Sequence, residues 1–342
     1  MRGTVTIVGG GIGGLTAATH LIRAGWEVRV LERSPAVPDT GTALGMWPAA
    51  LDALDAVGLG DPIRGRGVAL PSGAILRPDG STIARLAVRG SPVLVSRPAL
   101  LGVLAAALPD GVLRFGRTVD AVPAGADVVI GADGIGSGIR EAIAGPRYRA
   151  RPLGMTAWRG WVPGDTDVTA ETWDAGALFG ITPRDGGLTN VFAAARVKPG
   201  LPDGGIAFLR TRFGGWHAEV RDVLDRLDGA ALLHHDLYES PALPSYVRGN
   251  VALIGDAAHA MAPNLGRGAC EAIVDAATLA RALSESPDVA TALRRYDRAR
   301  RWRTRMLVRG SRMMGRVATA GTLIRLRDAA LGAATGTRRT VS

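Results

Sequence analysis

The stretch "TVTIVGGGIGGLTAATHLIRAGWEVRVLERS", residues 4–34, constrains this chain more than any other. Val5, Ile7 and Val8 make a short apolar strand. Leu15, Ala18, Leu21 and Ile22 then recur at helical spacing, and Gly25 follows the last of them, where a helix ends. Val28, Val30 and Leu31 form a second strand, so the segment reads as a β-α-β unit opening an α/β domain. Between the first strand and the helix, Gly9, Gly11 and Gly14 spell G-x-G-x-x-G, with Gly13 inside the pattern. Glycine permits the tight turn and the close approach of a pyrophosphate, and a helix N-terminus offers that anion free N–H groups. Glu32 ends the second strand, where a carboxylate grips a ribose hydroxyl. The expected ligand is NAD or the adenosine half of FAD.

A second loop decides between the two. "LIGDAAHAMAPNLGRG" runs from Leu253 to Gly268: a strand, then Gly255-Asp256, then a Pro/Gly loop that opens a helix. A carboxylate at a strand end can hold a polyol chain, and Gly266 and Gly268 let a second helix N-terminus approach an electron-rich group. FAD has both features, a ribityl chain and an isoalloxazine whose N1–C2=O edge turns negative on reduction. A long bipartite cofactor explains two distant loops; a simple NAD enzyme needs only the first.

The 342 residues alternate α/β and β-rich segments. The expected organisation is a discontinuous FAD-binding domain (1–70, 96–150 and 246–290), a β-rich substrate domain interleaved with it (71–95 and 151–245), and a helical segment from 291 to 342. Residues 152–245 read as strand-like runs between Gly/Pro turns. A hydrophobic fraction of 47% and a mean hydropathy of +0.15 fit a folded globular protein. No apolar run reaches the roughly 18 residues a membrane helix needs, and the opening residues lack a signal peptide's apolar stretch. One cysteine, Cys270, excludes an internal disulfide framework and fits a reducing, cytoplasmic setting. The net charge is +10 and Lys198 is the only lysine. Arginine, alanine and glycine share GC-rich codons, and no zinc-finger spacing or RNA-binding motif accompanies the arginines, so no nucleic-acid partner is expected.

The chain resembles the FAD-dependent aromatic hydroxylases, single-component flavoprotein monooxygenases of the p-hydroxybenzoate hydroxylase fold. Three signatures carry the resemblance: "GGGIGGL" with Glu32-Arg33; "GADGIGSGIR", with Asp133-Gly134, Ser137 and Arg140; and "GDAAHAMAPNLGRG". "MWPAALDALDAVGL", "SRPALL" and "TAWRG" are similar to family segments in the same order. The resemblance implies an α/β fold, FAD held by Arg97, Asp256 and the Pro263–Ala269 loop, and an Asp133 segment associated with FAD and NAD(P)H. It implies that NAD(P)H reduces FAD, that O₂ adds at flavin C4a, and that the hydroperoxide delivers one oxygen to an electron-rich aromatic or polyketide-like small molecule. Arg267 stands where the family often has Gln, and Ala49 where it often has Asn. Arg267 either favours anionic reduced flavin or points to solvent. The resemblance implies an adenine-side contact at Val119, but the stretch between Leu113 and Ala132 departs from the family: it is short and lacks the usual strand pair with its charged turn.

Other residues have two readings each. Trp158 and Arg159 sit on an expected strand and face either the substrate or the core. His259 reads as a packing residue beside the Gly-Asp pair, and Cys270 as a small buried one. His234-His235-Asp236 lacks further metal-ligand spacing and reads as strand or loop. The arginine-rich tail reads as a solvated helix face, with contact to a membrane or partner as the other reading. Within the superfamily, a halogenase, a membrane-associated flavin reductase or dehydrogenase, and a non-catalytic flavin-binding protein stay open as rivals. The substrate, the oligomeric state and NADH versus NADPH are not specified by the residues.

Overall fold

The computed structural model describes residues 2–70, 72–87, 90–197, 205–227, 232–322 and 324–335. Lys198 lies outside them.

The opening β-α-β unit forms as its pattern dictates. Strand Thr4–Val8 pairs in parallel with Glu27–Leu31, register Thr4 to Glu27 through Val8 to Leu31, and helix Ile12–Arg23 crosses between them. Strand Val128–Gly131 adds to the other side, and Val251–Leu253 beyond it, both parallel. Short strands Leu113–Arg114 and Val247–Arg248 complete a six-stranded sheet. All four residues of Val128–Gly131 are buried, as a strand covered on both faces requires.

A seven-stranded, mostly antiparallel sheet holds Leu233–Glu239, Arg151–Pro163, Leu188–Ala195, Ala177–Arg184, Ala170–Asp174, Ser72–Leu76 and Thr82–Ala87, in that spatial order. Ala43–Met46, Val93–Ser96 and Val68–Ala69 pair into a small three-stranded sheet of their own. The Asn190 side chain accepts from the Ala43 N–H at 2.9 Å and so ties the small sheet to the large one.

Two helices break the strand reading of 152–245: Gly205–Phe213 and Ala218–Arg226. They cover one face of the large sheet with Leu209, Phe213, Val220, Val223 and Leu224. Trp158 is fully buried on that face, stacked between Phe208 (4.7 Å) and His234 (5.1 Å). Its reading as a substrate contact is therefore corrected. Alternation along the strand sends Trp158 to the helix-covered face and its neighbour Arg159 to the other.

Helix Gly268–Glu285 lies against the first helix. A Cβ built on Gly13 would stand 3.3 Å from Ala272 Cβ, so glycine sets this approach. The arginine-rich tail forms a 30-residue helix, Val289–Ala318, capped by the Asp288 side chain on the Thr291 N–H at 2.8 Å, and then Ile324–Ala334. No described helix is long and apolar enough to cross a membrane.

Candidate functional site

The first glycine loop is crowded on one side and open on the other. Gly9 has φ +108°, and a Cβ there would meet the Ala132 carbonyl oxygen at 2.3 Å. A Cβ on Gly14 would stand 2.0 Å from the Gly9 oxygen, whereas one on Gly11 meets nothing within 4 Å. Gly11 is also the N-cap of the first helix, and no side chain caps it. The first-turn N–H groups therefore face open space with the positive end of the helix dipole behind them, which suits an anion.

Glu32 borders this opening. Its Oε2 accepts from the Gly10 N–H at 2.6 Å and its Oε1 from the Ser34 N–H at 2.8 Å. Burial alone would raise this carboxyl, but the two backbone donors hold it below its usual value. The charged oxygens keep spare lone pairs for hydroxyl donors. Arg33 is exposed beside it. Val119 is half-buried against the six-stranded-sheet core, and two residues before it the Arg117 N–H donates to the Glu32 carbonyl at 2.8 Å. The short stretch thus passes beside Glu32.

Asp133 is engaged in its own loop: Oδ1 accepts from Ser137 Oγ at 2.5 Å and Oδ2 from the Ile139 N–H at 3.1 Å. Buried Arg140 donates to the carbonyls of Asp256 and Ala257, both at 3.2 Å, and to that of Ile135. One guanidinium thus joins the second and third signatures. Asp256 starts the short helix Asp256–His259, and its carboxylate is exposed. A Cβ on Gly268 would stand 4.0 Å from Asp256 Oδ1. Pro263, Gly266 (φ +59°), Gly268 and Ala269 form the turn into the following helix, whose N-cap, Arg267, caps nothing with its side chain.

The Arg267 side chain is part-exposed and does not stand alone in solvent. Its Nη2 lies 3.0 Å from Glu271 Oε1, one turn on. Glu271 Oε2 accepts from Arg300 at 2.5 Å; Arg300 Nε bonds Asp275 Oδ1 at 2.5 Å; Asp275 Oδ2 takes His259 Nε2 at 2.5 Å and the Gly255 N–H at 2.8 Å. Glu271, Asp275, Arg300 and His259 are all buried. Burial opposes the charge on Asp275, yet His259 and Arg300 hold its pKa below the usual value; for His259 burial again opposes, and Asp275 holds it above. Sequence reading saw the histidine but not this network, whose partners come from two helices. Cys270 is buried, donates to the Gly45 carbonyl at 3.1 Å, and is pushed up to about 11 by burial.

Arg97, exposed, begins the helix Arg97–Ala106, held by the Ser96 cap and packed against Gly41. Arg159 is partly buried. Burial and then Arg97 push its guanidinium down, while Asp256 pulls it up, so the three charges share one region. The face of the large sheet carrying Arg159 also presents Phe192, its cross-strand partner, whose ring fills the space a Gly180 side chain would need. His235, opposite Ala157, faces the same way; burial, then Arg159 and His234, push it down to about 4, so it is neutral near pH 7. Sequence reading set His235 aside; strand alternation would have placed it beside Arg159. No group of three or more potential metal ligands occurs among the described residues.

The donor set fits FAD: an uncapped helix end over an open cradle, a carboxylate beside it, and a second carboxylate beside a second uncapped turn. Comparison with known proteins agrees. A family model described as "FAD binding domain" matches residues 2–95 and 238–311. The chain is 34% identical to aurachin C monooxygenase/isomerase of Stigmatella aurantiaca, covering 92% of this chain and 89% of that one. It is 32% identical to 3-amino-4-hydroxybenzoate 2-monooxygenase of Streptomyces cremeus, over 91% and 86%. The structure of Klebsiella pneumoniae HpxO complexed with FAD and uric acid superposes with a TM-score of 0.89 at 26% identity, covering 97% of this chain and 92% of that one.

Proposed function

Because this chain belongs to the FAD-binding family of flavin-dependent monooxygenases and hydroxylases, we propose that it takes electrons from NAD(P)H and transfers one oxygen atom from O₂ to an electron-rich aromatic or heteroaromatic molecule. The observation that carries the reading is the pairing of the Gly11 opening and Glu32 with Asp256 and the Pro263–Ala269 turn. We assign the pyrophosphate to the first-helix N-terminus at Gly11, Gly13 and Gly14, the adenosine ribose to Glu32 with Arg33 and Val119 alongside, and the ribityl chain to Asp256. The ring system falls to Pro263, Gly266, Arg267, Gly268 and Ala269, with Arg97 from the facing side. Asp133, spent on its own loop, acts by holding the second signature against Asp256 through Arg140.

Bound FAD supplies the redox chemistry and the activation of O₂, which no side chain of this chain provides. The protein positions the ring, excludes water and orients the substrate. The relatives named above act, by their names, on a hydroxybenzoate and an aurachin, and uric acid occupies the structural neighbour; each is an oxygenated ring system. Arg159 offers such a ring a charged donor, neutral His235 a donor or acceptor, and Phe192 an apolar wall. The test is NAD(P)H oxidation in air against hydroxybenzoates, purines and quinolones. Stimulation by a ring substrate, with KM raised about tenfold or more in Arg159→Gln at unchanged FAD content, supports the reading. Equal, substrate-independent oxidation across the panel contradicts it.

A further inference from the structure

The long helix Val289–Ala318 is fastened along one side and bare along the other. Tyr296, Arg300, Thr304, Ser311 and Gly315 are buried. Arg300 ties this side to Glu271 and Asp275, and Ser311 ties it to the Ala262 carbonyl. The other side holds Arg298, Trp302, Met306, Arg309, Met313 and Arg316, all exposed. Steps of three and four residues keep them on one line, a stripe about 27 Å long at the helical rise. Trp302 (65% exposed), Leu326 of the next helix (64%), Met313 (61%) and Met306 (48%) are the four most exposed large hydrophobic side chains among the described residues. Such side chains scattered singly need no explanation, but these gather on the last two helices.

The charge of the stripe is not cancelled. The helix carries ten arginines and one acid, Asp297, which is buried and accepts from the Tyr246 N–H at 2.8 Å. Arg295, Arg300, Arg301 and Arg312 have carboxylate partners. Arg298, Arg309 and Arg316, the arginines of the stripe, have no carboxylate partner among the described residues. The occupant of this surface must therefore offer negative charge and apolar contact in the same plane. A second copy of the chain, paired about a two-fold axis, would set these arginines against their own kind. A small anion would leave Trp302 and Met313 in water. A bilayer surface with anionic headgroups supplies both contacts to a convex helix face, and the headgroup boundary is where Trp is favoured.

We propose that this stripe seats the protein on a membrane surface rich in anionic lipid. Trp302, Met306 and Met313 enter the boundary between headgroups and acyl chains, and Arg298, Arg309 and Arg316 take the lipid phosphates. The helix lies in the plane of the surface, since no described helix is apolar enough to cross it. Its buried side stays fixed by Arg300 and Ser311, so the stripe is presented without rearrangement.

Co-sedimentation of the FAD-loaded full chain with phospholipid vesicles tests this. Vesicles of phosphatidylcholine mixed with phosphatidylglycerol should carry the protein down, and phosphatidylcholine alone should not. Trp302→Ser leaves the charge unchanged and should weaken binding about tenfold or more. Arg309→Gln combined with Arg316→Gln should weaken it roughly twentyfold, about fivefold for each arginine near the surface. Arg23→Gln combined with Arg66→Gln removes the same charge at exposed positions outside the stripe and should change binding by less than about twofold. All five positions are exposed, so FAD content and thermal unfolding should stay as in wild type. Binding that ignores lipid charge, equal loss in the two double variants, or no vesicle binding overturns the proposal. A dimer in solution that Trp302→Ser dissociates, without vesicle binding, overturns it in favour of a second copy.

Discussion

Gly11 and Gly14 differ by three positions, and the structure separates their roles. A methyl group on Gly14 would overlap the Gly9 carbonyl at 2.0 Å, so Gly14→Ala should disrupt the loop itself. At Gly11 the backbone is extended (φ −78°, ψ −176°) and a methyl group meets nothing within 4 Å. Gly11→Ala should therefore keep the apoprotein's thermal stability yet lose FAD affinity about tenfold or more, because the methyl occupies the space assigned to the pyrophosphate. Flavin titration and apoprotein melting together check this; unchanged affinity would move the pyrophosphate elsewhere. Asp256→Ala should weaken FAD binding by roughly 10- to 150-fold, the value of a hydrogen bond to a charged group. Asp236→Ala should not, since Asp236 bonds Thr156 within the large sheet at 2.6 Å. Equal affinities in the two variants would refute the assignment of the ribityl chain. The reach of sequence reading is visible here. The glycines and Glu32 act within one β-α-β unit, so their spacing alone reveals them. Arg159 and Trp158 are adjacent in sequence, and only the placement of helices over one sheet face tells which of them is core.

At the scale of elements, the join between helix Gly268–Glu285 and helix Val289–Ala318 is ionic as well as apolar. Arg300 of the second helix bonds Glu271 and Asp275 of the first, and His259 closes the set. Removing one member leaves a buried charge unpaired, so Asp275→Asn should cost about 3–5 kcal/mol. The pH dependence follows from the shifts. Asp275 is held below 3.8 on folding, so its contribution is present above that value and lost as the pH falls through its folded pKa. His259 is held above 6.5, so its contribution is complete below 6.5 and lost as the pH rises through its folded pKa. Melting curves of wild type and Asp275→Asn should differ most between these limits and converge toward acid; a gap independent of pH would mean that ionisation of the pair contributes nothing to it. None of this was legible, because residues 259, 275 and 300 meet only after two helices pack. The helices Gly205–Phe213 and Ala218–Arg226 were missed for another reason. Val220, Val223 and Leu224 do show helical spacing, but Gly214-Gly215 and the flanking glycines read as turns.

Over the whole molecule, the two glycine loops belong to one sheet. Strands Thr4–Val8 and Val251–Leu253 both flank Val128–Gly131, so loops that are far apart in sequence leave the sheet one strand apart. That answers why the chain carries two: a long cofactor can lie across the ends of neighbouring strands, where ligands of open α/β sheets bind. We propose the large sheet with Arg159, Phe192 and His235 as the substrate-facing part and the six-stranded sheet as the FAD-binding part. The central claim is that the two parts together place one atom of molecular oxygen on a ring. The direct measurement is turnover under isotopically heavy O₂ with NAD(P)H and a substrate that stimulates its oxidation, read by mass spectrometry of the product. The account predicts one heavy oxygen atom per product molecule. An oxidised product without the label, or one labelled only from heavy water, would contradict it.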